Sequence, residues 1–257
     1  MDFFEYYANL FGTRWDSLRE ALVRENRPME WRVGDAESYF LDEASWFAAN
    51  ALAVEPGMDV LDMCAAPGGK TLVLAKALAG KGSLQSNDRS PDRRERLRRV
   101  IMNSLPAEYA AIVSVSGYGG ERFGRYRAES FDRILVDAPC SSERHVISSK
   151  EHLSLWNPKR IKRLAVEQGA LLASAVDALR FGGELIYSTC ALAPEENDEV
   201  VKKIMKKRRG LLEIVELTPK FQGTERTECG LRMLPDLCDG RGPIYCAKLR
   251  KVIPPKV

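Results

Sequence analysis

The chain alternates short apolar strand patterns with helical segments along most of its length, and this alternation constrains the fold more than any other feature. Such alternation is typical of an α/β domain in which helices cover both faces of a mostly parallel sheet. The strand pattern recurs in residues 60–63, 83–87, 112–115, 133–137, 184–188, 212–215 and 244–249. The sequence therefore predicts an α/β fold with a doubly wound, mostly parallel seven-stranded sheet.

The N-terminal segment departs from this alternation. Apolar side chains recur at helical spacing from Phe4 to Leu22, and Gly12-Thr13 interrupts them, which predicts two short amphipathic helices. A loop is expected over residues 26–34. We therefore predict a small helical N-terminal cap, residues 1–35, joined to one main domain, residues 36–257. The aromatic side chains of the cap are expected to pack against that domain.

Two later helices are placed by the residues at their ends. Asn157 suits the N-cap of a long helix and Pro158 its first helical position. Gly182-Gly183 is expected to end that helix and to lead into the next strand. Pro194 is expected to begin another helix, which continues into the basic residues 202–209.

The charge, the cysteine content and the apolar runs of the chain exclude only a few classes of function. The 39 Lys and Arg residues exceed the 36 Asp and Glu residues by a formal net charge of +3, which permits RNA binding without arguing for it. Six cysteines and two histidines occur without a CxxC pair or a secretory signal, so we expect no metal site and reduced thiols. No apolar run is long enough to span a membrane, and the acidic N-terminal segment is unlike a transit peptide, so a cytoplasmic location is expected.

A candidate cofactor loop follows the first strand of the main domain. Residues 64–71, with the sequence CAAPGGKT, place Gly68 and Gly69 at a strand-to-helix turn, where backbone amides can approach a ligand. The alternative interpretation of these residues is a tight turn that binds no ligand. The second strand ends before Asp88, which is placed to accept hydrogen bonds from the ribose of an adenosine. Arg93 is expected to support this acid or the cofactor, and the arginines after it to form a solvated face.

Two cysteines follow the fourth and fifth predicted strands. Asp137 to Cys140 read Asp-Ala-Pro-Cys, and Cys190 follows Thr189. Because the carboxyl ends of parallel strands meet at one edge of the sheet, both thiols are expected to face one cleft. Methylation of cytosine at C5 requires a thiolate that adds to C6, and a second group that assists proton removal and release. Lys70 is a candidate cationic neighbour that would favour the thiolate.

The stretches DMCAAPGGKT, DAPCSS and YSTCALAPEENDEVV closely resemble the Fmu/Sun family of RNA cytosine-C5 methyltransferases, over about residues 36 to 250. The resemblance implies a Rossmann-like class I methyltransferase fold that uses S-adenosyl-L-methionine. It implies that Cys190 is the nucleophile, that Cys140 promotes release, and that Asp137 hydrogen-bonds the cytosine. The implied cofactor-binding residues are Cys64, Ala65, Gly68, Gly69, Lys70, Asp88, Arg93, Gly119, Gly120 and Asp137.

One position departs from the family pattern. The family usually carries an acid near the adenine after the third strand, whereas this chain has Gly119. Either Tyr118 stacks on the adenine, or the cofactor binds more weakly than in the relatives. The chain is most similar to the short mitochondrial-type members, which leaves a mitochondrial location open beside the expected cytoplasmic one. We expect an RNA substrate that is selected by the catalytic domain, the cap or a protein partner. The enzyme is expected to be a monomer.

The target cytosine must be single-stranded or flipped to reach the cleft. Candidate phosphate contacts are Arg122, Arg125, Arg127, Arg144 and residues 202–209. His145 is expected either to line the pocket or to be an ordinary polar loop residue.

Three alternatives remain open at this point. By analogy with the short relatives, ribosomal RNA is favoured over transfer RNA as the substrate. A different chemistry, methylation of an amino group, would be expected with an Asn/Asp-Pro-Pro-Tyr motif, where this chain reads Asp-Ala-Pro-Cys. A ribosome-assembly protein that binds RNA without catalysis is suggested by Gly119 and opposed by the intact Cys140 and Cys190.

Overall fold

The structure is a computed structural model that describes residues 1–24 and 28–253. Its helices are α1 Phe3–Phe11, α2 Trp15–Val23, α3 Glu43–Asn50, α4 Gly69–Leu78, α5 Pro91–Ser104, α6 Ala107–Ala110, α7 Phe123–Tyr126, α8 Glu143–Ile147, α9 Lys150–Leu155, α10 Pro158–Ala178 and α11 Asp198–Lys207. Its strands are β1 Met29–Trp31, β2 Tyr39–Leu41, β3 Asp59–Asp62, β4 Ser83–Asn87, β5 Val113–Ser116, β6 Phe131–Asp137, β7 Leu179–Thr189, β8 Leu212–Val215, β9 Glu225–Arg226, β10 Leu231–Met233 and β11 Ile244–Lys251.

The central sheet has the strand order β5-β4-β3-β6-β7-β11-β10-β9 in the described chain, and β8 pairs with the end of β11. Strands β3 to β7 are parallel, and β8 to β11 pair antiparallel. All seven predicted strands are present. The short strands β9 and β10, which the sequence did not indicate, extend the sheet to nine strands.

The chain reverses its winding direction between β3 and β6, which are neighbours in the sheet. Successive strands run outward from β3 to β5 on one side and from β6 to β7 on the other. Ligands of doubly wound sheets bind beside such a switch point, at the carboxyl ends of the strands. Asp62 ends β3 and Asp137 ends β6, so both carboxylates lie at this edge.

Helices cover both faces of the sheet, as the alternating sequence predicts. Apolar side chains of α3, α4 and α5 pack on one face, and those of α7, α10 and α11 pack on the other. The helix α10 begins as expected, since the Asn157 side chain accepts a hydrogen bond from the Lys159 amide at 3.1 Å. Its end was misplaced by the sequence interpretation: α10 ends at Ala178, and Gly182-Gly183 lie inside β7.

The N-terminal helices pack against the main domain through an aromatic cluster. Trp15 stacks on Tyr7 with ring centroids 5.5 Å apart, and Phe3 meets Trp156 edge-on at 5.5 Å. This confirms the expected packing of the cap aromatics. The predicted loop over residues 26–34 is wrong in part, because Met29–Trp31 forms β1 and pairs antiparallel with β2, while residues 25–27 lie outside the described residues. The domain boundary near residue 35 stays a prediction.

Across the described ranges, no helix combines the length and the apolar content needed to cross a membrane.

Candidate active site

The loop between β3 and α4 leads directly into the N terminus of α4, where a ligand could come close to the backbone. β3 ends at Asp62, and α4 begins at Gly69. Gly68 has a φ of +124°, and a Cβ at this residue would lie 3.0 Å from Val100 Cγ1 and 3.1 Å from Leu97 Cδ1. Glycine is therefore required at this position. The unpaired backbone amides that begin α4 lie beside the loop, as the sequence predicts.

Asp88 directly follows β4 and is only 3% exposed. Its Oδ1 accepts a hydrogen bond from the Ser90 amide at 3.0 Å, and its Oδ2 lies 3.4 Å from Arg93 Nη1. Arg93 also donates to the Ala66 carbonyl in the loop before α4. Arg93 thus joins the acid to the cofactor loop. Arg94 is not part of a solvated face as expected, because it donates to the Asp88 carbonyl at 2.8 Å.

Asp62 is a fully buried carboxylate at the same strand edge, and the sequence interpretation did not single it out. Its Oδ2 accepts a hydrogen bond from Thr71 Oγ1 at 2.7 Å, and its Oδ1 has no partner among the described residues. Burial raises the pKa of Asp62 to about 7. A cavity of about 210 Å³ lies beside this carboxylate. Its lining includes the predicted cofactor residues Cys64, Ala65, Gly69, Lys70 and Asp137. The sequence does carry a signal for Asp62: it is an acidic residue that ends an apolar strand shortly before the glycine loop.

The loop after β5 is held by Asn87, another residue that the sequence interpretation missed. Asn87 Oδ1 accepts from the Tyr118 amide at 2.8 Å, and Asn87 Nδ2 donates to the Tyr118 carbonyl at 3.0 Å. Gly119 and the exposed Tyr118 line a cavity of about 550 Å³. Gly120 is buried, and a Cβ on it would lie 2.5 Å from Leu171 Cδ2, so this glycine permits close packing against α10.

Cys140 and Cys190 lie together at the ends of β6 and β7. Their Sγ atoms are 3.0 Å apart, and both residues are free thiols. Ser142 Oγ lies 3.3 Å from Cys190 Sγ and 3.5 Å from Cys140 Sγ. Ser142 reaches this position with a left-handed backbone, at a φ of +56°. The structure therefore brings the two predicted thiols into one cleft and adds a hydroxyl to the pair.

The shared hydrogen bond separates the acidities of the two thiols. Donation from Cys140 lowers the pKa of Cys190 more than burial raises it, and Ser142 lowers that pKa further. The same bond, together with burial, raises the pKa of Cys140 well above its usual value. These opposite pKa shifts favour a thiolate at Cys190 and a protonated thiol at Cys140, which is the division that unequal roles require.

Lys70 and Asp137 form an ion pair next to the thiols. Lys70 Nζ donates to Asp137 Oδ2 at 2.8 Å, and Ser188 Oγ donates to Asp137 Oδ1 at 2.8 Å. Burial lowers the pKa of Lys70, but Asp137 outweighs burial and Cys190 adds to the rise. The ammonium group therefore stays charged near Cys190. Its partner Asp137 raises the pKa of Cys190, so the role of Lys70 in favouring the thiolate stays a prediction.

A second cavity, of about 480 Å³, opens at Cys190 and is lined in part by Arg144 and His145. Arg144 Nη2 donates to the Gly240 carbonyl at 3.1 Å and to the Ala21 carbonyl at 3.4 Å, so α2 helps to hold the guanidinium group. The position of His145 favours the pocket-lining interpretation.

The basic residues 202–209 lie on α11 and the turn after it, where several are engaged in ion pairs. Lys202 Nζ lies 2.5 Å from Glu228 Oε2, and Arg208 Nη2 lies 2.7 Å from Asp177 Oδ2. These pairs favour the solvated-surface interpretation of this stretch.

A family model described as 16S rRNA methyltransferase RsmB/F matches residues 49–250. The chain is 34% identical over 226 residues to a Mus musculus protein named tRNA (cytosine(34)-C(5))-methyltransferase, mitochondrial, covering 83% of this chain and 63% of the relative. It is 32% identical to 5-cytosine rRNA methyltransferase NSUN4 of Bos taurus, covering 84% and 60%. It is 35% identical to ribosomal RNA small subunit methyltransferase F of Shewanella piezotolerans, covering 75% and 40%. The chain therefore spans less than two thirds of the length of these relatives.

Solved structures agree with the fold. The crystal structure of NSun6 from Pyrococcus horikoshii with SFG superposes with a TM-score of 0.71 at 28% identity, covering 84% of this chain and 53% of that one. The crystal structure of PH0851 gives a TM-score of 0.83 at 21% identity, covering 96% and 65%.

Proposed function

The chain belongs to the RsmB/F methyltransferase family, and from this premise we propose that it transfers a methyl group from S-adenosylmethionine to C5 of a cytosine in RNA. The observation that carries the proposal is the 3.0 Å separation of the Cys140 and Cys190 sulfur atoms beside the glycine loop. The two thiols have pKa values shifted in opposite directions, and they lie at the carboxyl edge of the sheet beside the cofactor loop. Such a pair suits a reaction that needs one nucleophile and one proton-transfer group. Amino-group methylation requires neither thiol.

The polar groups at the carboxyl ends of β3 and β4 suit the charged and hydroxyl groups of S-adenosylmethionine. A cationic amino group would satisfy the unpartnered Asp62 Oδ1, which otherwise costs free energy as a buried, unpaired acceptor. The Asp88 carboxylate suits the ribose hydroxyls, and the first backbone amides of α4 suit a carboxylate. The cofactor, when bound, supplies the methyl group.

In the proposed mechanism, the Cys190 thiolate adds to C6 of the flipped cytosine. The new S–C6 bond moves the electron pair of the C5–C6 double bond toward C5, which makes C5 nucleophilic. Asp137 is placed to accept a hydrogen bond from the cytosine amino group, and Lys70 orients this carboxylate by donating to its Oδ2. After methylation, the C5 proton passes to the sulfur of Cys140, which has first released its own proton to solvent. The C–H electron pair then restores the double bond, and Cys190 leaves as a thiolate.

The test measures transfer of a tritiated methyl group from cofactor to RNA by the full chain. Wild type is expected to be active, and Cys190→Ala is expected to lose transfer completely, because it removes the sulfur atom that adds to C6 in this mechanism. Cys229→Ala is the matched control, since Cys229 is a buried thiol elsewhere and its truncation removes the same atom. Transfer at the wild-type rate by Cys190→Ala would refute the assignment.

For the substrate we propose ribosomal RNA, supported by the family description and by the NSUN4 relatives. Transfer RNA is the second candidate, supported by the Mus musculus relative. Bisulfite sequencing of both RNA classes from cells lacking the protein distinguishes them, because one unmethylated cytosine should appear in only one class. A cytoplasmic location, a monomeric state and a protein partner stay predictions.

A further inference from the structure

A buried carboxylate, Glu143, joins the loop that carries Cys140 to the loop that carries Cys190. Glu143 is fully buried. Its Oε1 accepts a hydrogen bond from Ser141 Oγ, on the residue after Cys140. Its Oε2 accepts from the Leu192 amide at 3.0 Å, two residues after Cys190. One side chain therefore fixes the spacing between two loops that are separated by about fifty residues of sequence.

A second buried carboxylate holds the Cys140 loop from the opposite side. Glu196 Oε2 accepts from the Ser141 amide at 3.0 Å and from Gln168 Nε2 at 2.7 Å. Gln168 Nε2 also donates to the Pro139 carbonyl at 2.8 Å, directly before Cys140. The backbone on both sides of Cys140 is thus bound to residues of α10 and of the Cys190 loop.

The N-terminal helix α1 completes this arrangement. Tyr7 OH donates to Glu143 Oε1, the same oxygen that Ser141 binds, across 136 residues of sequence. The Tyr7 ring is fully buried between Phe3 and Trp15, so the hydroxyl group is held in place by packing. A charged acceptor that is fully buried needs such donors, because each missing one leaves part of its charge unsolvated.

We propose that Tyr7 is a positioning residue for the Cys140–Cys190 pair, because it holds the Glu143 carboxylate that ties the two cysteine loops together. The inference rests on the proposed function insofar as these thiols react with RNA. It assigns the N-terminal helices a part in catalysis that does not depend on contact with RNA. Without the Tyr7 hydroxyl, Glu143 keeps only Ser141 and the Leu192 amide as donors and is held less firmly, so the 3.0 Å sulfur contact is lost in a fraction of the molecules.

The experiment compares Tyr7→Phe with Tyr6→Phe in the full chain. Both changes remove one hydroxyl from neighbouring positions of α1 and keep the ring, but Tyr6 donates at 2.9 Å to the half-buried Glu195 instead of Glu143. In Tyr7→Phe we expect kcat for methyl transfer to fall at least about tenfold, while KM for RNA changes less than about twofold. Tyr6→Phe should match wild type in both constants.

A second readout uses no RNA. The rate of iodoacetamide labelling of the Cys190 peptide, followed by mass spectrometry as a function of pH, gives the apparent pKa of that thiol. This pKa should rise in Tyr7→Phe, because Cys140 donates to Cys190 less often, and should stay at the wild-type value in Tyr6→Phe. The charged or titratable groups around Cys190 are present in both variants: Lys70, Asp137, Glu143, Arg144, Asp42 and His145. Tyr7→Phe removes one donor that lowers the pKa of Glu143. Any loss of charge on Glu143 would lower the pKa of Cys190, opposite to the predicted rise, so the direction of the shift separates the two effects. If Tyr7→Phe does not fold, Ser141→Ala removes the other donor to Glu143 Oε1 and should change both readouts in the same direction.

Unchanged kcat and unchanged Cys190 pKa in Tyr7→Phe would overturn the inference. It would also be overturned if Tyr6→Phe lowered kcat equally, or if only KM or thermal stability changed, since general packing would then explain the effect. Absence of methyl transfer in wild type would instead count against the proposed function, and the labelling experiment would still decide the role of Tyr7.

Discussion

Replacing Glu196 with Gln should make the stability of the protein less dependent on pH. Burial, with a contribution from the neighbouring Glu143, raises the pKa of Glu196 from 4.5 to about 7. The folded protein therefore binds more protons than the unfolded chain between these pH values, and the unfolding free energy falls as the pH rises through this window. A difference of this size corresponds to about 3 kcal/mol, at about 1.4 kcal/mol for each pH unit.

The substitution keeps the acceptor that Ser141 and Gln168 use, and it places an uncharged amide group where Glu196 Oε1 has no partner in the described part of the chain. The unfolding free energy of Glu196→Gln minus that of wild type should become more positive by about 3 kcal/mol between pH 4.5 and pH 8. Urea titrations followed by tryptophan fluorescence at several pH values measure this difference. Glu199→Gln removes the same charge from an exposed position of α11 and controls for net charge. A difference that does not vary with pH, or that becomes more negative, would refute the argument.

Three further changes test separate parts of the site. Cys140→Ala should accumulate a covalent protein–RNA adduct, seen as a shifted band on a denaturing gel, because release is blocked after Cys190 has added; turnover at the wild-type rate without adduct would contradict this. Asp88→Asn should weaken S-adenosylmethionine binding about tenfold in calorimetry, whereas unchanged affinity would exclude the ribose role. Gly120→Val should lower the unfolding free energy by about 2 kcal/mol or more, because a Cβ would lie 2.5 Å from Leu171 Cδ2. Equal urea midpoints for this variant and wild type would contradict this and show that α10 can shift.

Local sequence patterns were sufficient for the parts of the fold and site that depend on neighbouring residues. The parallel strands follow from short apolar runs, and the meeting of Cys140 with Cys190 follows from a general rule about strand ends. The strand β1 was missed because three residues in a polar stretch carry little periodicity. The end of α10 was misplaced because Gly182 adopts its positive φ within β7 rather than at a helix terminus.

Contacts between distant residues could not be read from the sequence. Tyr7 pairs with Glu143, and Glu143 with the Leu192 amide, across separations that no local pattern encodes. A glutamate inside SSERH resembles an ordinary surface residue until the fold buries it. Glu196 was likewise hidden in an acidic stretch that is typical of an exposed helix start. Buried polar groups of this kind become apparent only when every donor and acceptor is accounted for in three dimensions.

The central claim is that Cys190, and not Cys140, forms the bond to cytosine. The most direct measurement incubates the full chain with S-adenosylmethionine and RNA that carries 5-fluorocytosine, whose fluorine cannot leave as a proton does, so the covalent complex is trapped. Digestion and peptide mass mapping then locate the modified residue. We predict a nucleotide adduct on the peptide that contains Cys190. In Cys140→Ala the adduct should form more slowly, because Cys190 loses its donor, but it should still form on Cys190. An adduct on Cys140, or efficient methylation of normal RNA without any trapped complex, would contradict the account.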